Sequence, residues 1–305
     1  MFLLTLVTVG VMLLYAVPGY LTVKTSLIKP DAIPAFAKLL MYVCQPCLTV
    51  YSFQKCDYTP ELGKNILIFF LLSLVLMGAV MAVFYLIFRK KQDDARCRIV
   101  ILSACFGNVT FMGVPLVEAL LPQYSEALIY STVFFIAMNI LGWTVGSTLI
   151  TRDKSYCKPM KILMNPAVLA LVVALPLFFL GIKLPGQLGD GVTLLGKMST
   201  PLCMLILGMR LATVPFSGVF TDKLQYVGVA AKQLIMPLLA LALASALPIP
   251  QEMRLCFYIL AGTPVAAVVL TFAEMLGEGQ KEAANSVLLS TLLSIISLPL
   301  LLLLA

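Results

Sequence analysis

Apolar residues run along this chain for roughly twenty positions at a time, and polar residues are confined to short gaps between the runs. About 20 residues is what an α-helix needs to cross some 30 Å of hydrocarbon, and the runs recur too often for core helices of a soluble domain. The pattern predicts ten spans, over residues 2–23, 33–54, 66–88, 98–121, 126–150, 162–182, 192–213, 224–247, 252–276 and 282–304. The first is apolar from Phe2, without a basic flank before it or a small-residue cleavage site, and so predicts a retained helix, not a signal peptide.

Composition turns that pattern into a class. Hydrophobic residues make up 61% of the 305 positions and charged residues 11%, which predicts an all-α integral membrane protein. The 21 Lys and Arg are placed unevenly: fifteen fall in or beside the odd-numbered loops and five in or beside the even-numbered ones. Short basic loops stay in the cytoplasm, so both termini are expected outside the cell membrane. That bias also accounts for the net charge of +7 and leaves no need for a nucleic-acid partner. Most of the eight Cys lie within expected helices, where a thiol packs as a small apolar group; Cys44-Gln-Pro-Cys47 is a redox pattern only in text. The chain has no His, and no nucleophile–base–orienter set emerges, so neither an enzyme, a metal site nor a cofactor is expected.

Proline landmarks suggest an internal repeat. Gln45-Pro46 in the second span pairs with Thr200-Pro201 in the seventh, and Gly113-Val-Pro115 in the fourth with Gly262-Thr-Pro264 in the ninth. Halves of five spans each enter the membrane from opposite sides. The expectation is two inverted five-helix repeats, residues 1–151 and 162–305, joined by a central cytoplasmic loop at 152–161. Pro115 and Pro264 lack an N–H and are expected to break spans four and nine near mid-depth, where irregular backbone survives only against protein or a water-filled cavity. Breaks that cross there would aim half-helix N-termini at a small anion, with Gly113 beside them. Asn108, Thr110, Thr263 and Thr271 add short polar groups at that level, to bind ligand or merely to cap the broken helices. Glu118 is either a coupling group or a helix end meeting outer water. Lys232 either serves coupling or substrate attraction, or snorkels back to the interface.

These residues resemble a known pattern. Asn108-Val-Thr-Phe-Met-Gly-Val-Pro115-Leu is similar to the N-x-x-x-M-G-x-P-L segment of the auxin efflux carrier family, which includes bacterial carboxylate carriers and the plant PIN exporters. Asn165-Pro166, Thr200-Pro201 through Gly208, Lys232 to Pro237 and Ser290 to Pro299 extend the likeness nearly end to end. The resemblance implies an inverted-repeat fold like that of bile acid and sodium/proton carriers. Helices one, two, six and seven would form a scaffold panel, and helices three to five and eight to ten a mobile core. It also implies a homodimer and carriage of a small organic anion, mono- or dicarboxylate, by alternating access. A membrane anion sensor or an uncoupled anion channel of the same fold is the alternative. The helix-nine break, Gly262 to Ala266, lacks the acidic residue of sodium-coupled relatives, which argues against sodium coupling.

Overall fold

Thr59 shows how the polar gaps start helices. Its backbone is extended, its hydroxyl accepts a hydrogen bond from the Leu62 N–H at 3.1 Å, and Pro60 takes the first helical position, where a missing N–H costs nothing. The helix that follows, Pro60–Phe88, has 29 residues, which at 1.5 Å each span about 44 Å. Leu67, Leu71 and Val75 recur one turn apart on its exposed face, while Phe69, Leu72 and Leu76 are buried. An apolar stripe left exposed is the lipid-facing side of a membrane helix, and packing, not transfer from water, then holds neighbouring helices together.

A computed structural model of the chain describes residues 2–153, 166–213 and 223–304, and no β-strand occurs among them. Most of the expected central loop, from residue 154, and the Asn165 landmark lie outside the described residues. The first half comprises α1 (Phe2–Lys24), α2 (Ile33–Leu39), α3 (Gln45–Gln54), α4 (Pro60–Phe88), α5 (Ala95–Cys105), α6 (Val114–Leu120), α7 (Ala127–Leu141) and α8 (Ser147–Thr151). The second comprises α9 (Pro166–Phe179), α10 (Gly186–Lys197), α11 (Ser199–Thr213), α12 (Lys223–Ala230), α13 (Met236–Ser245), α14 (Gln251–Ala261), α15 (Val268–Leu276) and α16 (Gln280–Leu301). Among the described residues six helical runs are long and apolar enough to cross a membrane, namely Pro30–Gln54, Pro60–Lys91, Ala127–Thr151, Gly186–Thr213, Lys223–Ser245 and Gln280–Leu301.

Helix α1 lies along α11, closely enough that only glycine fits at the contact. A Cβ at Gly19 would fall 2.0 Å from the Leu205 carbonyl oxygen, and one at Gly208 1.8 Å from that of Ala16. Helix α3 packs on α9 and α10, whereas α4 packs on α5 and α7, α12 on α5, and α13 on α14. An aromatic cluster ties α4, α7 and α14 together: Phe69 stacks on Tyr130 at 4.9 Å and meets Phe257 edge-on at 5.5 Å. The seven described cysteines are free thiols.

Two apolar segments are interrupted, and the interruptions meet. Helix α5 ends at Cys105, Phe106 turns extended, and a π-helical turn, Val109–Gly113, leads into α6. Helix α14 ends at Ala261 and α15 begins at Val268. Gly107 and Val265 form an antiparallel β-bridge between the gaps. Pro264 lies in its gap as expected, but Pro115 does not: the first interruption is centred on Gly107, and Pro115 rides inside continuous helix. The reason is local. A π turn immediately precedes the proline's helix, and its wider register accommodates a ring that a regular α-turn would clash with. Pro46 and Pro237 follow the π turns Leu40–Cys44 and Ala231–Ile235 in the same way.

Candidate functional site

Each interruption frees backbone groups that hydrocarbon cannot satisfy, so their partners define what the crossing is built from. The Asn108 N–H donates to the Pro264 carbonyl at 2.7 Å and the Ala266 N–H to that of Phe106 at 2.8 Å, so each gap serves the other. The Val265 N–H donates to the Ser290 hydroxyl of α16 at 2.9 Å. The carbonyl of Ala261, at the end of α14, accepts from Lys232 Nζ. Lys232 is fully buried, so it does not snorkel to the interface. Gly107 is required by the same geometry: a Cβ there would lie 2.3 Å from Thr263 Oγ1 and 2.9 Å from Lys232 Cε.

Against one side of the crossing is a cavity of about 190 Å³. Its apolar walls include Met41, Phe111, Phe135, Met138 and Trp143. Its polar lining is Gln45, Asn108, Thr110, Asn139, Arg210 and Thr271, and among the described residues no lining residue is acidic. Asn108 is buried and acts twice. Its Oδ1 accepts from the Phe111 N–H at 3.2 Å, capping the π turn, which leaves the amide NH₂ without a partner among the described residues. Gln45 Nε2 and Arg210 Nε are likewise buried donors without a hydrogen-bond partner. The start of α15, Ala266 to Val268, lines the same space, bringing the positive end of a helix dipole to it. Glu274, about one turn beyond Thr271, is the acid within electrostatic reach of Arg210. A cavity of unpaired donors with a guanidinium, apolar walls and no carboxylate is suited to a small anion with a hydrocarbon body.

The structure brings Asn108, Thr110 and Thr271 together around this cavity. It does not bring Gly113 or Thr263 there. The Thr263 hydroxyl turns back on the Leu260 carbonyl in the last turn of α14 at 2.7 Å, the local bond that threonine favours. Gly113 packs against Leu260 and Thr263 instead, where a Cβ would come 2.9 Å from Leu260 Cδ2. Pro115 and Glu118 belong to a second concavity of about 560 Å³, with Lys55, Lys197 and Tyr51 in its lining. There Glu118 Oε2 accepts from the Thr200 hydroxyl at 3.2 Å, joining α6 to α11. Arg210 and Gln45 were missed by sequence reasoning. Arg210 reads as one more basic helix end, and Gln45 as a proline landmark; their distance from each other along the chain conceals a shared cavity.

Comparison with known proteins adds two findings. The family model described as "Membrane transport protein" matches residues 4–161 and 155–302. A protein of Rhizobium meliloti (strain 1021) named "Putative malonate transporter" is 25% identical over 295 residues, covering 91% of this chain and 88% of that one.

Proposed function

The chain belongs to the membrane transport protein family, and from that premise we propose that it is a secondary transporter of small organic anions, of the size of three- or four-carbon carboxylates. The observation that carries the proposal is the donor set of the 190 Å³ cavity: Arg210, Gln45 and Asn108 present unpaired hydrogens beside the N-terminus of α15. Burying such donors without partners is costly, and a carboxylate supplies the missing acceptors. The relative's name points to a dicarboxylate of this size.

In this reading the apolar segments make ten spans in two inverted repeats, with the interruptions at mid-depth. The group containing α4, α5, α7 and α12 to α16 moves against the group containing α1 to α3 and α9 to α11. The segment from Val109 to Pro115 has the small cavity at one end and the larger concavity at the other. Moving it exposes the same donors to either side in turn, and the Glu118–Thr200 bond is a contact that must open on the way. Glu118 thus serves as a latch on the outer side. Lys232 Nζ occupies the crossing by donating to the Ala261 carbonyl, and neither gap contains a carboxylate, which supports carriage without sodium.

Ligand stabilisation of the purified protein tests the binding step. Malonate, malate and acetate should raise the apparent melting temperature in proportion to their affinity, and choline should not. A screen in which no organic acid shifts the transition, while the protein remains folded, contradicts the proposal.

A further inference from the structure

A third concavity, of about 1020 Å³, lies away from the crossing between α4 and the run from α7 to α8. Its two walls run in parallel and match in chemistry. On one, Gly78 leads through Tyr85 to Arg89; on the other, Leu141 leads through Thr148 to Arg152. Gly78 opens the floor, since nothing lies within 4 Å of where its Cβ would be. The threonines on the second wall expose no free donor, because Thr144 Oγ1 bonds the Ile140 carbonyl at 2.6 Å and Thr148 Oγ1 the Thr144 carbonyl at 2.8 Å. The groove is therefore apolar along its length and cationic at one end.

Its length and charge identify what fits. From Gly78 to Arg89 the helix rises about 16 Å, which is half of a roughly 30 Å hydrocarbon core, the depth of one leaflet. Arg89 has no carboxylate partner among the described residues. Arg152 pairs with Asp93, whose side chain is 90% exposed, so water screens that pair and most guanidinium donors stay available. Both arginines belong to loops that the charge bias assigns to the cytoplasmic side, where anionic lipid headgroups gather. We propose that this groove is a binding site for an anionic phospholipid, with an acyl chain along α4 and α7 and the headgroup phosphate held between Arg89 and Arg152. The site is separate from the anion cavity and does not depend on the transport reading.

Native mass spectrometry of the full chain in uncharged detergent tests it, using phosphatidylglycerol, phosphatidylcholine of the same acyl chains, and oleate as probes. The unaltered protein should retain phosphatidylglycerol at least tenfold better than either of the others. The R89Q/R152Q variant should lose that preference. Val145 lines the groove and is 47% exposed, so V145W should fill the groove and abolish retention with both arginines intact. Lipid-free melting temperatures establish that each variant is folded. Equal retention of phosphatidylglycerol and phosphatidylcholine, a preference that survives R89Q/R152Q, or oleate held as tightly as phosphatidylglycerol would each overturn the assignment.

Discussion

At the residue scale the informative positions are polar groups that a membrane chain should avoid. Asn108 is legible in the sequence for that reason: an amide in an apolar run needs partners, and the structure supplies a cap for its oxygen and a cavity for its nitrogen. Arg210 is not legible, because a basic residue near a helix end has an ordinary explanation at the interface. Only the packing of α11 against the gaps turns it into a cavity donor. Arg210→Gln should weaken carboxylate binding by about 2–5 kcal/mol, the usual cost of removing one side of a buried charged contact. Asn108→Ala should weaken it by about 1–3 kcal/mol, as a buried hydrogen bond would. Calorimetric titration of folded variants checks both, and unchanged affinity removes the residue from the site. Gly107→Ala is a test of the crossing itself. Its methyl would press on Thr263 and Lys232, so a loss of about 1–3 kcal/mol in stability is expected in denaturant titrations.

At the element scale, proline position misleads unless the preceding turn is known. Pro115 and Pro264 look equivalent in sequence, yet only Pro264 lies in a gap, since a π turn accommodates Pro115. No residue type marks a π turn in advance, so the break was legible to within two helical turns and its centre at Gly107 was not. The entry to α5 gives a pH prediction outside the membrane. Asp94 caps the helix by accepting from the Arg96 N–H at 2.9 Å, and the Arg96 side chain, then that N–H, holds its carboxyl below the usual carboxylate range. A depressed folded-state pKa contributes stability above the unfolded value near 4, and that stability is lost as pH falls through the folded value. Asp94→Ala should therefore cost about 1 kcal/mol at neutral pH. Melting curves of the two proteins should converge as pH drops below about 4; a gap that persists would show that the cap's charge is irrelevant.

At the scale of the whole molecule, membrane class was legible because hydropathy is carried by the entire chain, and the transport family because the segment from Asn108 to Leu116 and its companion motifs resemble that family's pattern. The cavity was not, since it is assembled from Gln45, Asn108, Asn139, Arg210 and Thr271, which are far apart in sequence and meet only through the joined gaps. The central proposal is that Gln45, Asn108 and Arg210 bind a small organic anion that crosses the membrane without sodium. Counterflow of labelled malonate in proteoliposomes is the most direct measurement of it. Saturable uptake driven by internal unlabelled malonate is expected, the same in sodium and potassium buffers, and strongly reduced by Arg210→Gln in a folded protein. Uptake no greater than in protein-free liposomes, or undiminished by Arg210→Gln, would contradict it.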